Sequence, residues 1–346
     1  MVVHFFRNDQ LEVPNRSPSM PFDAYERPIQ YLRVSVTDRC NLRCVYCMPE
    51  EGVPQLAHED VLRNEEIVRI VRIAVGLGFH HIRLTGGEPL VRRGIVDLVA
   101  NLARLPGLDD LSMTTNGILL REYAVPLARA GLHRVNISLD TLRPERFRQM
   151  TRWGDLEDVL AGREAALAAG LRPVKVNMVV IRGLNDDEVV DMARLTLEPD
   201  WHIRFIEVMP LGAGVHWVGD GVVPSVEIRE RIEAALGPLT PVYGEVGVGP
   251  ARYYQLPKAK GTIGFISAIT EHFCQYCNRL RLTSDGQLLP CLLSSATIDL
   301  RTPLRNGATD EELRALFLQA VVAKPRGHTL SEIACPSALP MSHIGG

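Results

Sequence analysis

No apolar run in this chain of 346 residues approaches the roughly 18 residues of a membrane span, so no membrane partner is expected. Net charge is also small. The 38 Lys and Arg nearly balance the 41 Asp and Glu, leaving −3. A chain so near neutrality is not built to coat nucleic acid, although it can still hide a basic pocket. The opening MVVHFFRNDQ lacks a basic start followed by an apolar stretch, so no secretion signal is read. Cysteine is scarce, with seven residues, and six of these fall into two tight groups, Cys40/Cys44/Cys47 and Cys274/Cys277/Cys291. A disulfide framework spreads its cysteines along a short secreted chain, whereas grouped cysteines indicate metal or redox chemistry in a reducing cytoplasm. Cys335 stands alone and is expected to be a small buried hydrophobe.

The length suits one large domain with a smaller appendage. Residues 1–25 are polar and aperiodic and read as a flexible arm. From residue 26 to 210, short β-branched segments alternate with amphipathic ones. Strands are predicted over 32–36, 82–85, 111–115, 135–139, 174–180 and 203–208, and helices over 64–76, 95–105, 120–130, 155–169 and 186–195. Gly78, Gly131 and Gly170 follow helical stretches, as C-terminal caps should. Six such units predict an α/β fold, a full or partial parallel barrel. After Pro210 the rhythm breaks. Residues 211–346 read as a smaller region with strands over 252–256, 261–266 and 279–284 and a last helix over 309–322. Ser284-Asp285-Gly286-Gln287 is a hairpin turn signal.

Strands buried on both faces should be almost wholly apolar. Here Arg33, Arg83, Lys175 and Arg204 each stand between apolar neighbours and so face the opposite side, which in a barrel is the lumen. Buried cations need anions. Internal ion pairs would serve, as would a bound polyanion, and four such positions on separate strands favour the polyanion. The strand ends Thr85-Gly86-Gly87-Glu88-Pro89, Thr114-Thr115-Asn116-Gly117, Asn136–Asp140 and Glu207–Pro210 carry small or polar residues where barrel enzymes place their chemistry.

Cys40-Asn41-Leu42-Arg43-Cys44-Val45-Tyr46-Cys47 follows the first predicted strand. Three thiolates can hold three corners of a four-iron cluster and leave one iron open. Zinc is the alternative, but it favours four ligands, commonly as two cysteine pairs. The CxxxCxxC spacing, with Tyr46 before the third cysteine and Gly86-Gly87-Glu88-Pro89 ending the second strand, resembles the radical S-adenosylmethionine superfamily. That resemblance implies a partial, six-unit (β/α) TIM-like barrel and a 4Fe-4S cluster whose open iron binds S-adenosylmethionine. Its one-electron cleavage yields a deoxyadenosyl radical. In the matching positions Gly87, Ser138 and Met209, with the backbone near Tyr46, would line the S-adenosylmethionine site.

Cys274-Gln275-Tyr276-Cys277 and Cys291 form a second group of three thiols. Zinc completed by His272 or Cys335 remains open on ligand count. Arg279 and Arg281 alternate and face one way, as suits phosphate or carboxylate. With these residues, the chain from about Arg27 to Gly346 resembles the GTP 3′,8-cyclase family of molybdenum cofactor biosynthesis. The resemblance implies a second 4Fe-4S cluster binding guanine, with Arg33, Arg83, Thr114, Lys175, Arg279 and Arg281 contacting GTP. Arg204 is left to a structural ion pair. The resemblance further implies a Gly345-Gly346 tail reaching the active site and product passed to cyclic pyranopterin monophosphate synthase. It also implies a flavodoxin- or ferredoxin-type electron donor, with a homodimer left open.

Overall fold

A computed structural model describes residues 20–217, 219–243, 249–328 and 341–345. Its centre is a run of six parallel strands: β1 (Tyr31–Ser35), β2 (His81–Thr85), β3 (Asp110–Thr115), β4 (Arg134–Ser138), β5 (Lys175–Val180) and β6 (His202–Glu207). They pair in chain order, each crossing to the next through helical segments. The C-terminal region supplies β7 (Thr240–Pro241), β8 (Arg252–Gln255), β9 (Thr262–Ile266), β10 (Arg279–Leu282), β11 (Gln287–Leu289) and β12 (Ile298–Asp299). Among the described residues the sheet order is β12-β11-β10-β1-β2-β3-β4-β5-β6-β9-β8-β7. It therefore stays open, a partial barrel. Strands β10 and β9 join parallel to β1 and β6, so the later residues extend both edges of the same sheet.

The crossovers form where the apolar period is strongest. The helix Asn64–Gly76 has the predicted bounds and turns Ile67, Ile70, Val71 and Ala74 into the core. Asp310–Val322 lies beside it, capped by a reciprocal Thr309–Glu312 pair, and Phe317 meets Phe79 at 5.9 Å between ring centres. Each such side chain buried contributes about 1.5–3 kcal/mol. The helix expected over 186–195 is divided into a 3-10 turn at Asp186–Glu188, a helix at Val189–Arg194 and a second turn at Leu195–Leu197. Helices at Pro144–Thr151 and Ser225–Leu236 were not foreseen. The Ser284–Gln287 signal is a hairpin between β10 and β11, with Gly286 at φ +85°. No described helix is long and apolar enough to cross a membrane.

Register sets what the lumen presents. Arg33 stands level with Arg281 on one side and Arg83 on the other, so three guanidinium groups share one row. Thr114, Asn136 and Lys175 form a neighbouring row, and Asn177 lies level with Arg204. Alternate residues, including Leu32, Val34, Ile82 and Leu84, are fully buried in the hydrophobic core. The inner end of the N-terminal segment is tied down. Asp23 is buried and pairs with Arg27 at 2.6 Å.

Candidate active site

Gly86 and Gly87 press backbone against backbone. An ideal Cβ on Gly87 would lie 2.2 Å from the carbonyl oxygen of Arg39, and only a hydrogen fits there. The contact brings Gly87 N–H to Thr37 O and Glu88 N–H to Arg39 O, both at 2.8 Å, which anchors the loop leading into Cys40 on the end of β2. Glu88 then reaches across to β3. Its carboxylate accepts from Thr115 Oγ1 at 2.8 Å, Asn116 N at 2.7 Å and Leu90 N at 3.0 Å. The two strand-end motifs are thus one hydrogen-bonded unit. Arginines hold the rest of the cysteine loop. Arg43 donates to the carbonyls of Cys40 and Leu42, and Arg152 to those of Arg43 and Met48.

Cys40, Cys44 and Cys47 line a cavity of about 290 Å³, and Cys274, Cys277 and Cys291 line the same cavity. All six are free thiols. Among the described residues, no three His, Cys, Asp or Glu side chains converge as ligands of a single ion do. His272 is engaged with the carbonyl of Ala268 at 3.3 Å, and Cys335 lies outside the described residues.

The two thiol groups sit in opposite electrostatic surroundings. Burial pushes Cys40 up to about 11, with Glu88 adding to it, and Cys47 up to about 12. Cys44 is raised by burial and by Cys47 and Asp140. Asp140, itself lifted to about 6 by burial, accepts from Tyr46 Oη at 2.8 Å and from Val179 N at 2.8 Å. In the second group, burial would raise Cys277 too, but Arg279 and Lys324 outweigh it and bring the thiol down to about 6. Three grouped thiols suit a metal centre that displaces their protons, as an iron cluster does. Carboxylates beside the first group suit a cationic ligand, and arginines beside the second an anionic one.

Tyr46, Gly87, Ser138 and Met209 also line the cavity. Arg33, Arg83, Thr114, Arg279 and Arg281 line it as well, from β1, β2, β3 and β10. Lys175 is not among the residues that line it; it is 3% exposed and donates to Tyr253 Oη at 3.2 Å. Arg83 donates to Ser112 Oγ at 3.1 Å, and Arg281 to the carbonyl of Gly345. Gly346 lies outside the described residues.

Arg204 corrects the expectation of a structural ion pair. It is 5% exposed, lines the cavity and has no carboxylate partner among the described residues; its Nε and one terminal nitrogen make no hydrogen bond. The reason is register, which sets it against Asn177 and Gly264 instead of an acid. Asn177 was also missed, although its alternation with Lys175 along β5 was a usable signal. Lys324 and His328 reach the cavity from the segment after the last long helix, where no motif marked them.

A parallel β/α partial barrel with a three-thiol loop after its first strand defines a radical S-adenosylmethionine enzyme. The comparisons agree. A family profile described as Radical SAM superfamily matches residues 34–196, and one described as Molybdenum Cofactor Synthesis C matches 201–330. Curated proteins named GTP 3′,8-cyclase from Pelotomaculum thermopropionicum and Heliobacterium modesticaldum are 53% and 55% identical over 324 and 325 residues, 94% of this chain and 99% of theirs. The chain belongs to the GTP 3′,8-cyclase family. Among solved structures, Streptococcus suis SuiB bound to S-adenosylmethionine shares the fold, with a TM-score of 0.55 at 15% identity over 86% of this chain and 68% of that one.

Proposed function

We propose that this chain joins ribose C3′ of GTP to guanine C8, giving (8S)-3′,8-cyclo-7,8-dihydroguanosine 5′-triphosphate, the first step of molybdenum cofactor biosynthesis. The observation that carries this reading is that both thiol groups and a row of arginines line one cavity. Cys40, Cys44 and Cys47 would hold a 4Fe-4S cluster with one iron left for S-adenosylmethionine, and Cys274, Cys277 and Cys291 a second. When bound, the first cluster and S-adenosylmethionine supply the deoxyadenosyl radical that takes the C3′ hydrogen.

The chain's own residues bind, orient and screen. Gly87, Ser138 and Met209, with the Tyr46 backbone, would seat S-adenosylmethionine, and the nearby Asp140 and Glu88 favour its positive charge. Arg33, Arg83, Arg279 and Arg281 would take the triphosphate, with Thr114 and Lys175 beneath. Arg204, with Nε and one terminal nitrogen lacking hydrogen bonds, joins them. The buried position of this row excludes water and strengthens each contact. Gly345-Gly346 would close the site. The product would pass to cyclic pyranopterin monophosphate synthase, with a flavodoxin or ferredoxin as cytoplasmic electron donor; a homodimer is compatible. Nucleic acid and membrane have no part in this reading.

Two substitutions test the division of labour. Cys44→Ser abolishes S-adenosylmethionine cleavage, whereas Cys291→Ser impairs cyclisation and keeps some reductive cleavage. Equal loss of cleavage in two folded variants contradicts it.

A further inference from the structure

The second thiol group is spread over two segments, with Cys274 and Cys277 on one loop and Cys291 beyond the β10–β11 hairpin. Thiols on separate segments need something to fix their spacing. Two buried cations span the gap. Lys324, 3% exposed, donates from Nζ to the carbonyl of Arg279 at 2.7 Å and to that of Pro290 at 2.8 Å. The first acceptor lies two residues after Cys277 and the second immediately before Cys291. Arg27, 6% exposed, donates from Nη1 to the carbonyls of Cys274 at 2.6 Å and Arg326 at 3.0 Å, and from Nη2 to Pro325 at 2.6 Å. Asp23 holds its Nε at 2.6 Å. The stretch 324–326 thus ties the surroundings of all three thiols to one another and to Asp23.

The acceptors around Lys324 are informative. Carbonyl oxygens satisfy its N–H groups but carry no net charge, and among the described residues no carboxylate pairs with it. A buried ammonium without a counter-charge is costly. Lys324 also lines the cavity that Cys277 and Cys291 line, so an anionic thiolate cluster there would be its counter-charge.

We propose that Lys324 and Arg27 are positioning residues of the second cluster site, fixing the two cysteine segments at one spacing and placing positive charge behind them. The inference rests on reading Cys274, Cys277 and Cys291 as an iron-cluster site. Wild type, Lys324→Met and Arg27→Gln are to be reconstituted anaerobically with iron and sulfide. Iron per chain, circular dichroism and the electron paramagnetic resonance of the reduced proteins, with and without GTP, are then measured. Wild type should hold roughly eight irons. Both variants should fall towards about four while staying folded, keeping the signal that responds to S-adenosylmethionine and losing the one that responds to GTP. Full iron with unaltered spectra in both variants overturns the proposal, as does equal loss of both clusters, which marks general loosening. Should Lys324→Met fail to fold, Arg27→Gln decides by the same readouts. Wild type stopping at about four irons instead overturns the second-cluster reading itself.

Discussion

The Arg281 guanidinium donates to the backbone carbonyl of Gly345. One side chain thus belongs both to the arginine row expected to meet the triphosphate and to the docking of the C-terminal segment. The seat is tight. Gly345 has φ +78°, and an ideal Cβ there would lie 2.0 Å from Thr85 Oγ1, at the end of β2. Ile344, fully buried, and Ser342 anchor the approach.

From this contact we predict that Gly345→Ala cuts cyclised product sharply, because the methyl group collides with Thr85 and the backbone angle disfavours it. Misplacement by about 1 Å can cost a hundredfold in rate. Deleting Gly345 and Gly346 should do the same. Iron content and S-adenosylmethionine binding should be unchanged in both. Wild-type turnover in the truncated protein would show that the tail plays no part.

If Lys175 meets the triphosphate as proposed, it should couple substrate binding to pH. Burial, reinforced by Arg204, Arg134 and Arg83, lowers its ammonium to about 6, so much of it is neutral at pH 7.5 before substrate arrives. A triphosphate favours the charged form, so binding should take up a proton. GTP affinity should then weaken by up to about tenfold per pH unit above about 6. Calorimetry in buffers of different ionisation enthalpy reads the uptake directly. Lys175→Met should remove the part of the uptake that does not belong to the phosphates. Identical uptake in the variant contradicts the assignment.

Glu66 links the barrel to its C-terminal cover. Burial alone would raise its carboxyl. Hydrogen bonds from Arg305, at 2.8 and 3.0 Å, and from Arg63, at 2.7 and 2.9 Å, outweigh burial and bring it down to about 2. Because the folded value is depressed, the stabilisation is full above the ordinary value of 4.5 and is lost as pH falls from there towards about 2. Glu66→Gln should therefore cost roughly 2 kcal/mol at pH 7. The gap between variant and wild type in urea unfolding should narrow by pH 3. A gap independent of pH would place the effect in packing instead.

The parallel strands were legible because apolar core residues alternate with polar residues of opposite facing, as in Leu32-Arg33-Val34. That same break exposed the lumen cations. Cysteine spacing marked the thiols, and the Gly-Gly-Glu-Pro turn marked the end of β2. Other features depend on partners distant in sequence. Arg204 reads like Arg33 along its own strand, and only register shows that no acid faces it. Lys324 carries no motif; its role comes from two carbonyls on segments folded back towards it. The helix Pro144–Thr151 escaped notice because only Phe147, Met150 and Thr151 are buried, too few for a visible period.

The central claim is that both thiol groups serve one reaction on GTP in one cavity. The most direct measurement is product analysis of anaerobically reconstituted protein with S-adenosylmethionine, GTP and a reductant. The account predicts deoxyadenosine and 3′,8-cyclised dihydro-GTP formed together, both dependent on Cys44, with the cyclised product also dependent on Cys291. Deoxyadenosine without any cyclised nucleotide, from protein carrying both clusters, would contradict it.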